Sequence, residues 1–219
     1  MDPDGRDVWT VSEDGYVKNI SGKGGTKKQT VIYANGNTSI FRGAKYHRIM
    51  SDLSQSEKNK DGYYFSSSYG NSSMQSAYAN VFKSMADNTN VEWRMDRYSD
   101  NNYALGTLHN KTYSPNTYEM SKGNHHDKDV VALIHSHPMV NRPNTIEEQI
   151  SSMGYWDWNE KKRIRTGDAF FKKNNIPNAS YYTYFPKTQQ LWTVGINRPA
   201  FIKHIRLVSD FFFGTYNTR

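Results

Sequence analysis

A chain of 219 residues suits one domain, or one domain with an ordered extension, and a low 36% hydrophobic content is offset by 14% aromatic residues that each bury a large area. With no cysteine, disulfides, thiolate chemistry and cysteine-based zinc sites are excluded, so histidine and carboxylate must carry any metal. No apolar run approaches the roughly 20 residues of a membrane helix, no charged-then-apolar leader is visible, and the +7 charge is scattered apart from "EKKRIR" and "FKK", so the chain reads as soluble and a nucleic-acid groove is not expected.

In chain order, "DPDG" signals a turn, and the short alternating stretches after it predict a pair of small strands. Residues 21–36 are rich in Gly, Lys and Thr around one apolar patch, "TVIYA", and predict hairpins or an arm around loops, so the first third is expected to add little to the core. Residues 51–73 are rich in Ser, Asn and Gly and predict a linker or long loop. The pattern then changes. Met74, Tyr78, Val81, Phe82 and Met85 recur at helical intervals and predict an amphipathic helix capped by Ser73 and stopped at Asn88–Asn90. Three strand-like segments follow, in "VEWRMDRY", "YALGTLHNKTYS" and "DVVALIHSHP". Beyond them, "TIEEQISSMGYWDWNEKKRI" predicts helix or ordered loop, 166–175 a short helix, "ASYYTYFP" with "QLWTVGI" a hairpin, and "PAFIKHIRLVSDFFF" a closing helix or strand.

The chemistry centres on "IHSHP". Side chains at i and i+2 of a strand share a face, so His135 and His137 project together and Ser136 points away. Two adjacent imidazoles are half of a tetrahedral zinc site, and Asp168, at the predicted start of a short helix, is the best-placed third ligand. His125 and His126 read as polar loop residues, His109 as a strand-end residue, Trp156 and Trp158 as packing of an insertion, and "FFFG" as core.

The sequence resembles the JAB/MPN (JAMM) zinc metallopeptidase family, whose pattern is a Glu on an early strand, His-x-His-Pro, then a Ser and, three residues later, an Asp. "HSHP" supplies His135 and His137, "TGDAFF" supplies Asp168, and "VEWRM" supplies Glu92 as the general base. Two positions depart from that pattern: residues 138–167 separate the second His from the Asp, and Arg165 stands where the family has its Ser. Arg165 or Thr166 is the substitute oxyanion donor that the resemblance leaves. "MADNTNVEW" and "DPDGRDVW" are similar to the JAB-like toxin domains at the C-termini of bacterial Rhs and other polymorphic toxins.

The resemblance implies an α/β (α+β) fold with a JAB/MPN-like central mixed sheet flanked by helices. Residues 1–73 would be an N-terminal hairpin-and-loop extension after an Rhs-type core, and residues 74–219 the toxin domain. It implies a Zn2+-dependent peptidase or isopeptidase, delivered by an Rhs carrier into a target bacterial cell and blocked by a cognate immunity protein. The alternatives are an inactive JAB-like protein-binding scaffold and a metal-dependent nuclease.

Overall fold

The computed structural model describes residues 6–21, 24–111, 114–138, 154–157, 162–165, 180–194 and 199–204. Four strands open the chain: β1 (Arg6–Val11), β2 (Val17–Asn19), β3 (Lys28–Tyr33) and β4 (Thr38–Arg42). They form a sheet in the order β2-β1-β3-β4, with β1 and β3 parallel. Helix α1 (Ala44–Leu53) follows, then β5 (Ser56–Lys58) and β6 (Tyr64–Gly70). A short 3-10 turn at Ser72–Met74 leads into α2 (Gln75–Asn88), β7 (Arg94–Tyr98), β8 (Tyr103–Thr107), α3 (Thr117–Met120) and β9 (Val130–Ser136). The remaining strands are β10 (Gly154–Asp157), β11 (Lys162–Arg165), β12 (Ser180–Phe185), β13 (Gln190–Val194) and β14 (Pro199–His204). Eight strands make the main mixed sheet, in the order β14-β13-β12-β9-β7-β8-β6-β5, while β10 and β11 form a two-stranded antiparallel sheet.

Helix α2 forms as its periodicity predicts. Tyr78, Val81, Phe82 and Met85 are all buried, against Met95, Leu105 and Ile134 of the sheet. Its start differs from expectation. Met74, not Ser73, stands at the cap position and makes no side-chain cap bond, while Asn71 caps the preceding 3-10 turn, its side chain accepting from the Ser73 backbone N–H.

The serine-rich stretch expected to be a linker is instead a strand inside the main sheet, because small hydroxyl side chains can be buried once each finds a partner. Ser68 Oγ donates to Asp52 of α1 at 2.7 Å and lies 3.1 Å from the Tyr78 hydroxyl, while Ser67 Oγ donates to the Glu119 carbonyl of α3 at 3.1 Å. Helices α1 and α2 therefore cover one face of the sheet and α3 the other. The first third is also part of the core, contrary to expectation: Trp9, Val31, Ile49, Met50 and Leu53 belong to the same buried cluster as Phe82 and Trp93. Residues 154–157 and 162–165, read as helix or loop, form an antiparallel hairpin. The helix predicted at 166–175, Trp158 and the "FFFG" segment lie outside the described residues.

Close approach between β6, β8 and α3 requires glycine at 106. A Cβ there would meet the Ser66 carbonyl oxygen at 2.7 Å and Met120 Sδ at 2.8 Å. Gly106→Ala is expected to lower stability by about 1–3 kcal/mol, the usual cost of overpacking, read as an earlier denaturant midpoint at unchanged slope; an unshifted midpoint would contradict this packing.

Candidate functional site

Strands β7 and β9 are antiparallel neighbours, with Arg94 opposite His135 and Met95 opposite Ile134. On the α2 face, the Ser136 hydroxyl accepts from the Trp93 N–H at 3.0 Å, and the Ser136 N–H donates to the Trp93 carbonyl at 2.8 Å. Alternation sends His135 and His137 to the opposite face, as the spacing predicts, and their Nε2 atoms come within 2.7 Å of each other. His137, one residue past β9, is fixed by its N–H donating to the Tyr184 carbonyl of β12 at 2.8 Å. Its ring packs near Phe185.

Glu92 reaches this pair from the other strand. It lies two residues before β7 rather than at its first position, its N–H donates to the Asn110 carbonyl at 2.8 Å, and its Oε1 stands 4.0 Å from His137 Nε2. Only 6% of Glu92 is exposed. Burial pushes its carboxyl up to about 8, and burial likewise pushes His137 down to about 4. His135 is also held well below its ordinary value, first by burial, then by His137 and Arg94. At neutral pH the imidazoles are both neutral, the state in which imidazole binds a metal, and Glu92 is poised to hold or release a proton.

A buried charged network flanks the trio on the same sheet face. Arg94 grips Asp96 with two hydrogen bonds, Nε to Oδ1 at 2.8 Å and Nη2 to Oδ2 at 2.7 Å. It also donates to the Pro115 carbonyl and to Thr117 Oγ1, at 2.9 Å each, which ties α3 to the sheet. Burial raises the Asp96 carboxyl and the Arg94 guanidinium opposes that rise. Sequence reasoning missed this pair. Its only signal was the alternation of charged with apolar residues in "EWRMDRY", within a strand buried on both faces.

Of the remaining site residues, Arg165 ends β11 in the separate hairpin, and Thr166 and Asp168 lie outside the described residues. Among the described residues no group of three or more His, Asp or Glu is arranged to hold a metal. The two convergent neutral imidazoles fit two ligand positions of zinc. His125 lies in a loop as expected but is buried there, stacked on Tyr98 with its Nε2 2.8 Å from the Tyr69 hydroxyl.

The family described as JAB-like toxin 1 matches residues 70–173, a span that includes Glu92, His135 and His137. That match supports a JAB-like toxin domain within residues 70–173. No curated protein and no solved structure matches the chain. The mixed sheet with few helices agrees with a JAB-like fold, and the histidine pair and Glu92 lie at one end of the β7–β9 pairing.

The raised Glu92 pKa has a definite sign for stability. Between about 4.5 and about 8 the folded state keeps a proton that the unfolded chain has lost, so this group's contribution falls as pH rises through that window, by up to about 1.4 kcal/mol per pH unit. His137 acts in the opposite sense, its contribution falling as pH drops from about 6.5 to about 4. Urea unfolding of metal-free wild type and Glu92→Gln isolates the first effect. The variant should gain on wild type from pH 5 to pH 8 and gain no more above it; a pH-independent difference would mean that Glu92 ionises normally.

Proposed function

We propose that the toxin domain is a zinc-dependent peptidase or isopeptidase acting inside a target bacterial cell. The observation that carries this reading is the convergence of two neutral imidazole nitrogens, 2.7 Å apart, with a buried carboxyl 4.0 Å away whose pKa stands near neutrality, in a segment matching a JAB-like toxin family.

In this reading His135 and His137 would hold the zinc, with Asp168 as third ligand by the family pattern. Zinc there would supply a Lewis acid and a more acidic water. Glu92 accepts the proton of the attacking water as the tetrahedral centre forms and returns it to the leaving amine as the C–N bond breaks. A pKa near neutrality suits a group that both takes and gives a proton. By the family pattern, Arg165 or Thr166 would be the donor to the developing oxyanion, which needs a donor aimed at the charge rather than a particular residue type. Phe185, itself buried, packs beside the His137 ring and makes that side of the site apolar, where electrostatic interactions are strong.

Delivery by an Rhs-type carrier and neutralisation by an immunity protein complete the proposal. The +7 balance favours an acidic surface on that partner, whose affinity then weakens as salt rises. Among the described residues no helix is long and apolar enough to cross a membrane.

Metal content and growth inhibition on expression in bacteria test the reading together. Wild type and Glu92→Gln should each bind about one zinc, as the one-site geometry requires, and His135→Ala with His137→Ala should bind none; both variants should lose toxicity. A metal-free wild type, or toxicity that survives both variants, leaves a protein-binding scaffold in which the 2.7 Å contact is a plain histidine–histidine hydrogen bond.

A further inference from the structure

The segment that carries Glu92 is held in part from outside the region matched by the family. Residues 89–93, between α2 and β7, form neither helix nor strand and are fixed by contacts to other parts of the chain. Trp93 is held by Ser136, and Glu92 by the Asn110 carbonyl. Thr89 Oγ1 donates to the Met85 carbonyl and accepts from Trp93 Nε1, at 2.9 Å each, and the β1–β2 turn supplies a further set of contacts. The Asn90 N–H donates to the Glu13 carbonyl at 2.8 Å, and Asn90 Nδ2 donates to Glu13 Oε2 at 3.3 Å. Gly15, at φ 77, packs so closely that a Cβ would stand 2.8 Å from Val91 Cγ2 and 3.2 Å from Trp93 Cζ2. Only a residue without a side chain satisfies both that conformation and that approach.

The same turn braces Asn110, the acceptor of the Glu92 amide. His109, the residue before it, sits at φ 54, a conformation costly for a non-glycine residue and sustained only by its surroundings. Those surroundings are specific. His109 Nδ1 donates to the Asp14 carbonyl at 2.9 Å, its Nε2 lies 3.0 Å from Ser66 Oγ, and Tyr16 stacks flat on the ring at 3.8 Å. Asp14, Gly15 and Tyr16 thus clamp both sides of the Glu92 backbone, through Val91 and through His109–Asn110.

We infer that the β1–β2 turn is a positioning element for Glu92, with Gly15, Tyr16 and His109 as positioning residues acting through Asn110 and Val91. The N-terminal sheet is then a working part of the toxin rather than a tether, even though it precedes the family match at residue 70. This inference rests on the peptidase reading, in which Glu92 is the base, and a displacement of about 1 Å at such a group costs on the order of 100-fold in rate.

The test uses the full chain and the variants Gly15→Ala, Tyr16→Ala, Tyr16→Phe and Glu92→Gln, with three readouts: amide hydrogen exchange, bound zinc and growth inhibition. Tyr16 is 42% exposed, so its truncation removes the stack without opening the core. Gly15→Ala and Tyr16→Ala should speed exchange of the Glu92 amide about tenfold or more while α2 amides exchange as before. They should keep the zinc and lose toxicity, and Tyr16→Phe, which retains the ring, should restore wild-type behaviour. Unchanged Glu92 exchange, or acceleration spread equally over α2, overturns the positioning role while leaving the peptidase reading intact if Glu92→Gln is non-toxic. A toxic Glu92→Gln overturns both.

Discussion

Ser136 exchanges two hydrogen bonds with the Trp93 backbone, and that exchange locks the register of β9 against β7. The rest of the site follows from this register. Strand alternation places Ser136 and Ile134 toward α2 and His135 and His137 toward α3, and a slip of one residue would exchange the two faces. The same lock sets how far the chain before β7 runs, and so brings Glu92 alongside His137. The β12 strand adds a second constraint, since Tyr184 receives the His137 amide and carries its own side chain to Asp87 of α2 at 2.7 Å.

Burial shapes the chemistry as strongly as geometry does. His135, His137 and Glu92 are pushed toward their neutral forms by the loss of water, and so is Asp96, where the paired and hydrogen-bonded Arg94 opposes the push. That pair ties α3 to the sheet through Pro115 and Thr117. Removing either partner would leave a buried charge without its counter-ion, a change that costs about 3–5 kcal/mol in comparable buried pairs.

The pairing of His135 with His137 was more legible in the sequence than the scaffold around it. His135 and His137 were legible because their spacing, the apolar run before them and Pro138 are all local signals, and α2 was legible from its periodicity. Strand β6 was not, because Ser66, Ser67 and Ser68 look like loop residues until Asp52, Tyr78, Glu119 and His109 supply their partners from elsewhere in the chain. The role of the N-terminal strands was hidden for a similar reason: contacts of Glu13, Gly15 and Tyr16 with Asn90, Val91 and His109 span most of a hundred residues and leave no periodic trace. The β10–β11 hairpin was misread because its charged and aromatic residues suit helix, strand and loop about equally.

X-ray absorption at the zinc edge of the zinc-loaded chain tests the central claim most directly. Two imidazole nitrogens at about 2.0–2.1 Å together with oxygen ligands, reduced to no imidazole when His135 and His137 are both replaced by alanine, are the predicted result. A first shell without imidazole in the wild type, or one that survives the double substitution, would contradict the assignment of this histidine pair as a metal centre.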